Sequence, residues 1–138
     1  MKGYEFFEHT ADIGVKAYGK TLAEAFENAA KAMMSIITDD SEVEFIGQYD
    51  IEIEADSIEQ LLFNWLSELL FLHSANNLVF GFFKVELDDK GNRLKAHVCG
   101  ESFNHSKHRM GTEIKAVTYH MLEVKMKPPY EVKVLFDI

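Results

Sequence analysis

The sequence predicts a single-domain α+β fold in which two amphipathic helices pack against a largely antiparallel sheet. Two runs with apolar residues at helical spacing begin at capping residues, Thr21 and Ser57. Other segments, such as residues 49–55, alternate apolar and charged side chains as half-buried strands do. A chain of 138 residues with 47% hydrophobic content is the usual size of one domain. We therefore assign residues 1–138 to one domain.

The N-terminal part is expected to form two strands and a helix. Residues 4–7 and 14–18 are strand-like and lie on either side of a connection, residues 8–13. The first helix should begin after Thr21, because this threonine and Glu24 have the spacing of a capping box. The apolar positions then repeat along one helical face: Leu22, Ala25, Phe26, Ala29, Met33 and Ile36 or Ile37. This face is expected to pack into the core.

The middle of the chain is expected to form a strand and a second helix. The alternation in residues 49–55 favours an antiparallel sheet with one face in the core and one in water. Ser57 and Gln60 have the spacing of a second capping box. The apolar side of the helix that follows consists of Ile58, Leu61, Leu62, Trp65, Leu66 and Leu69. Two core-facing helices are therefore predicted.

A β-hairpin is predicted after the second helix. Residues 82–87 and 94–98 are strand-like, and residues 88–92 between them contain Gly91 and Asn92. Both residue types accept the positive φ angles that tight hairpin turns require. This spacing predicts two neighbouring antiparallel strands.

Two more strands are expected at the C-terminal end. Residues 118–125 and 132–137 have strand-like patterns, and Pro128 and Pro129 lie between them, where a hydrogen-bonded ladder cannot continue. Apolar residues alternate almost to the last position, although chain ends commonly fray. We expect the chain to finish inside a sheet.

Composition excludes several classes of function. Fourteen basic residues against 23 acidic ones give a net charge of −9, so direct, tight nucleic-acid binding is not expected. The longest apolar stretches are interrupted by polar residues, so no membrane association is expected. Cys99 is the single cysteine, and no signal-peptide pattern follows Met1. A cytoplasmic, reducing location is therefore expected.

Two separate segments could supply oxygen ligands for a metal ion. Asp12 follows His9 at a strand connection, although aspartate is also a common turn residue and His9 could simply pack. At the other end of the sequence, Asp137 and the carboxylate of Ile138 would place several oxygens together if the chain end were ordered. Calcium, magnesium and manganese prefer such oxygen ligands.

Other chemistry finds less support in the sequence. The six histidines fit no zinc signature, and one cysteine leaves no C-x-x-C half-site. No G-x-S-x-G elbow, P-loop or dinucleotide fingerprint is present. Lys115, Thr118 and His120 form an unusual polar group, for which a solvated strand face is the simpler interpretation.

Four motifs in order resemble the archease family along the whole chain. They are HTADIGV at residues 9–15, TLAEAFE at residues 21–27, EIKAVTYH at residues 113–120 and DI at residues 137–138. The resemblance implies an α+β fold and an accessory role rather than an enzyme. It implies further that the chain assists an RtcB-type tRNA-splicing RNA ligase by promoting guanylylation of the ligase's active-site histidine and multiple turnover.

The resemblance also implies a divalent-metal site formed by Asp12, Asp137 and the carboxylate of Ile138, with calcium, magnesium and manganese all compatible. Lys115, Thr118 and His120 become candidates for the surface that meets the ligase. Two alternatives stay open. One is a general chaperone or modulator of RNA-modifying proteins such as tRNA methyltransferases, with a structural metal. The other is an independent metal-dependent hydrolase that uses the two aspartates and a nearby histidine.

Overall fold

A computed structural model describes residues 3–138, and within them two helices and seven strands form an α+β fold. The predicted fold class is confirmed. In chain order the elements are β1 (Tyr4–His9), β2 (Asp12–Gly19), α1 (Leu22–Thr38), β3 (Gly47–Glu54), α2 (Ile58–Asn76), β4 (Leu78–Leu87), β5 (Arg93–Ser102), β6 (Ala116–Lys125) and β7 (Tyr130–Asp137).

Both helices begin where the sequence predicts. The Thr21 hydroxyl accepts the backbone N–H of Glu24 at 3.1 Å, and the Ser57 hydroxyl accepts that of Gln60 at 3.1 Å. The second hydrogen bond of a capping box joins the backbone N–H of the capping residue to the side chain three residues later. Neither described helix forms this bond. The Glu24 carboxylate accepts the N–H of Lys20 at 3.0 Å, and the Gln60 amide donates to another helical side chain and to a tyrosine. Each cap therefore satisfies the helix amide but leaves the reciprocal bond unmade.

The strands form two antiparallel sheets, where the sequence indicated only a largely antiparallel arrangement. One sheet has the strand order β1-β2-β7-β6 and the other β3-β5-β4. Helix α1 packs against β2 of the first sheet and β4 of the second, so it joins the two layers. Trp65 of α2 is fully buried, and its Nε1 donates to the carbonyl of Phe26 in α1 at 3.1 Å.

The predicted turns lie where expected. Gly91 has a φ of 73°, and the Asp88 side chain accepts the N–H groups of Asn92 and Arg93 at 2.8 and 2.9 Å, which closes the β4–β5 hairpin. The two prolines lie between β6 and β7. Within residues 3–138, neither helix combines the length and apolar character that a membrane crossing requires.

The first connection is shorter than the sequence indicates. Only Thr10 and Ala11 separate β1 from β2, so His9 and Asp12 are strand residues that pair with each other. The prediction of a six-residue connection at residues 8–13 was wrong because Ala11 takes a φ of 61°. Alanine seldom adopts that conformation, and no glycine or asparagine marks the turn. The tight turn fixes the position of Asp12 at the start of β2.

Candidate metal centre

The structure places Asp12 and Asp137 directly opposite each other on the neighbouring strands β2 and β7. His9 and Asp12 close a two-residue turn, which requires them to form a hydrogen-bonded pair. The main-chain groups of Asp12 therefore face β1, and Asp12 meets Asp137 as a non-hydrogen-bonded pair. Side chains in such pairs approach most closely, with Cα atoms about 4.5 Å apart. The two carboxylates, distant in the sequence, therefore stand side by side.

Both carboxylates lie on the face of the four-stranded sheet that is turned away from α1, which we call the outer face. Successive side chains of a strand point to opposite faces of the sheet. Val15 and Ala17 of β2 are fully buried on the face that packs against α1, so the Asp12 side chain points to the opposite face. One row across the sheet consists of His9, Asp12, Asp137 and Ala116. The Asp12 side chain is 20% exposed and Asp137 is exposed, so solvent and ions reach the pair.

Two histidines border this pair. His9 Nδ1 lies 3.2 Å from an oxygen of Asp12, so a proton on Nδ1 holds that carboxylate in place. The ring of His120 packs against the ring of His9 with centroids 5.2 Å apart. His120 belongs to a bulge in β6 between Thr118 and Glu123. Leu135 lies on the outer face and is nevertheless fully buried, so other residues cover it. This burial and the contact between the two histidine rings indicate that the bulge folds over the outer face.

The last residues add one more group of oxygens. The Ile138 side chain packs partly buried against the core, so the end of the chain is held in place. The main-chain carbonyl of Asp137 accepts the N–H of Lys115 at 2.7 Å and therefore faces β6. The Asp137 side chain and the terminal carboxylate of Ile138 remain as the ligands that this end can offer beside Asp12.

This donor set suits a hard cation. Like charges directly opposite each other on a sheet destabilise it, and a bound cation would relieve that repulsion. All the donors are oxygens, as calcium, magnesium and manganese prefer. Within residues 3–138, no three side chains of histidine, cysteine, aspartate or glutamate group together as a metal site. Such a centre would therefore need the Ile138 carboxylate as its third ligand, and the metal itself stays a prediction.

The three residues suggested as a docking surface lie beside the same row. Lys115 is exposed and immediately precedes Ala116. Thr118 is half-buried, and its hydroxyl donates to the carbonyl of Leu135 at 3.1 Å. His120 is exposed and carries the ring contact described above. The fold thus gathers two stretches of the sequence, around residues 9–12 and 115–120, next to the chain end.

A buried ionic network that the sequence did not indicate anchors the loop before β6. The carboxylate of Glu101 lies 2.6 Å from Lys107 Nζ, 2.7 Å from the N–H of Glu44 and 2.9 Å from His108 Nε2. His108 Nδ1 accepts the N–H of Asn104 at 2.9 Å, so the ring is neutral with its proton on Nε2. This network holds the loop that leads to Ala116, beside Asp137.

Glu101 titrates far below the usual range. Burial by itself raises the pKa of its carboxyl, but hydrogen bonds from Lys107, from the Glu44 amide and from His108 outweigh burial and lower the pKa to about 2. An ordinary glutamate in the unfolded chain has a pKa near 4.5. The folded pKa is the lower one, so this group stabilises the fold fully above about pH 4.5, and that stability is lost as the pH falls towards 2.

Replacing Glu101 with glutamine should lower the free energy of unfolding by about 2 kcal/mol at neutral pH, since hydrogen bonds to a buried charge are lost. The difference in the free energy of unfolding between this variant and the unsubstituted chain should become smaller as the pH falls from 5 to 2. Urea unfolding at several pH values measures both effects. Glu44→Gln is the control, because Glu44 contacts the same lysine from an exposed position and should cost less than about 1 kcal/mol. Equal losses in both variants would contradict this account.

Comparison with known proteins places the chain beside one family. The sequence model of the Archease protein family matches residues 4–138. Protein archease of Sulfurisphaera tokodaii is 42% identical over 130 residues, which are 94% of this chain and 94% of that protein. Protein archease of Methanothermobacter thermautotrophicus is 45% identical over 126 residues, which are 90% of this chain and 89% of that protein.

Two solved structures have the same fold. The solution structure of protein 1598 of Methanobacterium thermoautotrophicum superposes with a TM-score of 0.81 at 39% identity and covers 100% of both chains. The crystal structure of a Thermotoga maritima protein, described as "an archease, possible chaperone", has a TM-score of 0.64 at 25% identity over 96% of this chain and 94% of that one.

Proposed function

This chain belongs to the archease family, and on that premise we propose that it activates an RtcB-type tRNA-splicing RNA ligase. In this proposal it promotes guanylylation of the ligase's active-site histidine and allows multiple turnover, without joining RNA itself. The observation that carries the proposal is the pairing of Asp12 with Asp137 on the outer face. Two facing carboxylates repel each other and so destabilise the sheet, a cost that a function at that place would explain.

The chain's own residues would hold a divalent cation at the edge of the molecule. Asp12, Asp137 and the Ile138 carboxylate would be the ligands, and His9 would orient Asp12 through the 3.2 Å contact. When bound, such a cation would supply positive charge to phosphate oxygens during nucleotidyl transfer. Asp137 is exposed, so the ion would be presented to a partner rather than enclosed.

The net charge supports a protein partner with a basic surface. The chain carries a charge of −9, and complementary fields speed the encounter of two proteins. An RNA ligase needs a basic surface for its substrate, so an acidic accessory protein would be steered towards it.

The test is a guanylylation assay with the purified ligase, GTP and manganese, with and without this protein. At limiting ligase, the protein should raise the rate of ligase guanylylation, and the joined RNA should exceed one equivalent per ligase. If guanylylation and product per ligase are the same with and without the protein, the proposal fails.

A second candidate function is a general chaperone for RNA-modifying proteins such as tRNA methyltransferases, with a structural metal. It is favoured by an apolar surface on the other sheet, where Phe45 and Phe82 pack with ring centroids 5.8 Å apart and Ile46 is 71% exposed. This role predicts that the protein suppresses methyltransferase aggregation and that Ile46→Lys weakens the effect. It predicts no change in guanylylation of the ligase.

A further inference from the structure

The bulge in β6 is larger than the pairing of two strands requires. Four residues of β6, residues 119–122, stand opposite the single residue Val134 of β7. The common β-bulge places only two residues opposite one, and bulges beside functional sites re-aim a side chain. A bulge of this size therefore suggests that one of its side chains is directed to a particular place.

The side chain that the bulge directs is His120, which reaches His9 across the sheet. In the strand order β1-β2-β7-β6, two strands separate β6 from β1. Neighbouring strands lie about 4.8 Å apart, so β6 and β1 are separated by about 14 Å. The rings of His9 and His120 nevertheless have their centroids 5.2 Å apart. The bulge makes this contact possible because it carries His120 over the outer face.

Helix α2 and strand β7 hold the bulge in place. The ring of Tyr119 stacks on Phe63 of α2 with centroids 3.9 Å apart, and its hydroxyl accepts a hydrogen bond from Gln60 at 3.1 Å. The hydroxyl of Thr118 donates to a main-chain carbonyl of β7. Met121 has a φ of 59°, a left-handed conformation that costs a non-glycine residue about 1 kcal/mol or more. The contacts around the bulge maintain this strained backbone.

His9 links the bulge to Asp12. Its Nδ1 lies 3.2 Å from Oδ2 of Asp12, so the contact uses one carboxylate oxygen and leaves the other for a cation. His9 is the last residue of the edge strand β1, and its side chain is 35% exposed. Such a side chain rotates unless a neighbour restrains it. The ring contact with His120 supplies that restraint.

We propose that His120 is a positioning residue for the metal centre, which fixes the His9 ring and through it the Asp12 carboxylate. Residues that orient metal ligands raise the affinity of a site, although they do not touch the ion. The inference rests on the proposed function, because the ion that Asp12 would hold belongs to that function. It adds the residue that orients the ligand pair and the element of the fold that carries this residue.

Manganese titration of matched variants tests this inference. His9→Ala removes the contact to Asp12 and should weaken manganese binding about tenfold. His120→Ala should weaken it about threefold to tenfold, because it loosens the His9 ring without removing it. His120→Phe keeps a ring against His9 and should bind manganese as the unsubstituted protein does. His97→Ala is the control, since it removes a histidine–aspartate contact on the other sheet and should change nothing.

The double variant His9→Ala/His120→Ala shows whether His120 acts through His9. Once the His9 ring is gone, removing His120 should have no further effect, so the double variant should bind manganese as His9→Ala does. Losses that add up in the double variant, or no loss in His120→Ala, overturn the proposal. It is also overturned if the unsubstituted protein binds no manganese.

NMR of the metal-free protein separates positioning from a merely structural role. At mildly alkaline pH a free imidazole is neutral and carries one proton, on either ring nitrogen. In the unsubstituted protein the ¹⁵N signals of the His9 ring should show this proton on Nδ1, where it bonds to Asp12. His120→Ala should lower the fraction of rings in that form, and His120→Phe should retain it. Unchanged His9 signals in His120→Ala would mean that His120 only covers the sheet, and the proposal would be wrong.

Substitutions at Met121 test the bulge while His120 stays intact. Valine strongly disfavours a positive φ, so Met121→Val should displace the bulge and weaken manganese binding. Glycine adopts a positive φ freely, and Met121→Gly should bind manganese normally. Equal manganese affinities in the two variants overturn the role of the bulge.

The two proposals fail separately. If His120→Ala loses manganese affinity and the Nδ1 signal of His9 as expected, but the unsubstituted protein does not stimulate the ligase, the proposed function is wrong and the positioning role stands. If the protein stimulates the ligase while His120→Ala binds manganese normally, the positioning role is wrong and the function stands.

Discussion

Replacing Asp12 with asparagine is expected to abolish stimulation of the ligase and to reduce the rate of guanylylation to that of the ligase alone. The change removes one of two facing carboxylates and leaves the side-chain volume almost unchanged. Losing a charged ligand should weaken divalent-ion binding strongly, since hard cations are held mainly by charged oxygens. The fold should not suffer, because the substitution also removes a like-charge repulsion across the strands. Calorimetric titration with manganese and the guanylylation assay measure the two effects.

Asp50→Asn is the matched control for this substitution. Asp50 is also a strand aspartate that contacts a histidine, with its carboxylate 2.9 Å from His97 Nδ1, but it lies on the other sheet. It should change neither metal binding nor stimulation. If Asp12→Asn stimulates normally at limiting ligase, the metal-site mechanism is wrong. If both variants lose stimulation equally, the effect is general and does not arise from the site.

Adding two residues, Gly-Ser, after Ile138 is expected to have an effect of similar size. The extension converts the terminal carboxylate into a neutral peptide group and so removes a charged ligand without changing any side chain. Packing of the Ile138 side chain against the core is preserved, so thermal unfolding should change little. Metal titration and the guanylylation assay should both show a loss.

Ile138→Val is the control for the extension, because it alters the side chain and keeps the terminal carboxylate. It should retain metal binding and stimulation, at a small cost in stability from the lost methylene group. An extended chain that binds manganese and stimulates the ligase as well as the original would show that the terminal carboxylate is not a ligand.

The local elements were predictable because their signals are local. Thr21 and Ser57 both cap helices as their spacing indicates, and Gly91 turns the β4–β5 hairpin. The division of the strands into two sheets was not predictable, because pairing between distant strands depends on how hydrophobic faces combine in the whole fold. The β2–β7 pairing is of this kind. No local sequence pattern predicts that Asp12 and Asp137 lie opposite each other. Among the arguments from sequence, only the family resemblance placed them in one site.

The buried network shows a different reason for failure. Glu101 lies at the end of β5 and His108 lies in the loop that follows, in a stretch so polar that its hydropathy gives no sign of burial. Both are buried because each charge or polar atom finds a partner, including the amide of Glu44 from a distant segment. Burial of charged groups depends on such partners and not on hydropathy.

The most direct test of the metal centre is anomalous diffraction from crystals of this protein grown with manganese chloride. The account predicts one strong anomalous peak on the outer face, within coordination distance of carboxylate oxygens of Asp12 and Asp137 and of the terminal carboxylate of Ile138. A structure with no peak at that position, or with manganese held by other residues instead, would contradict it.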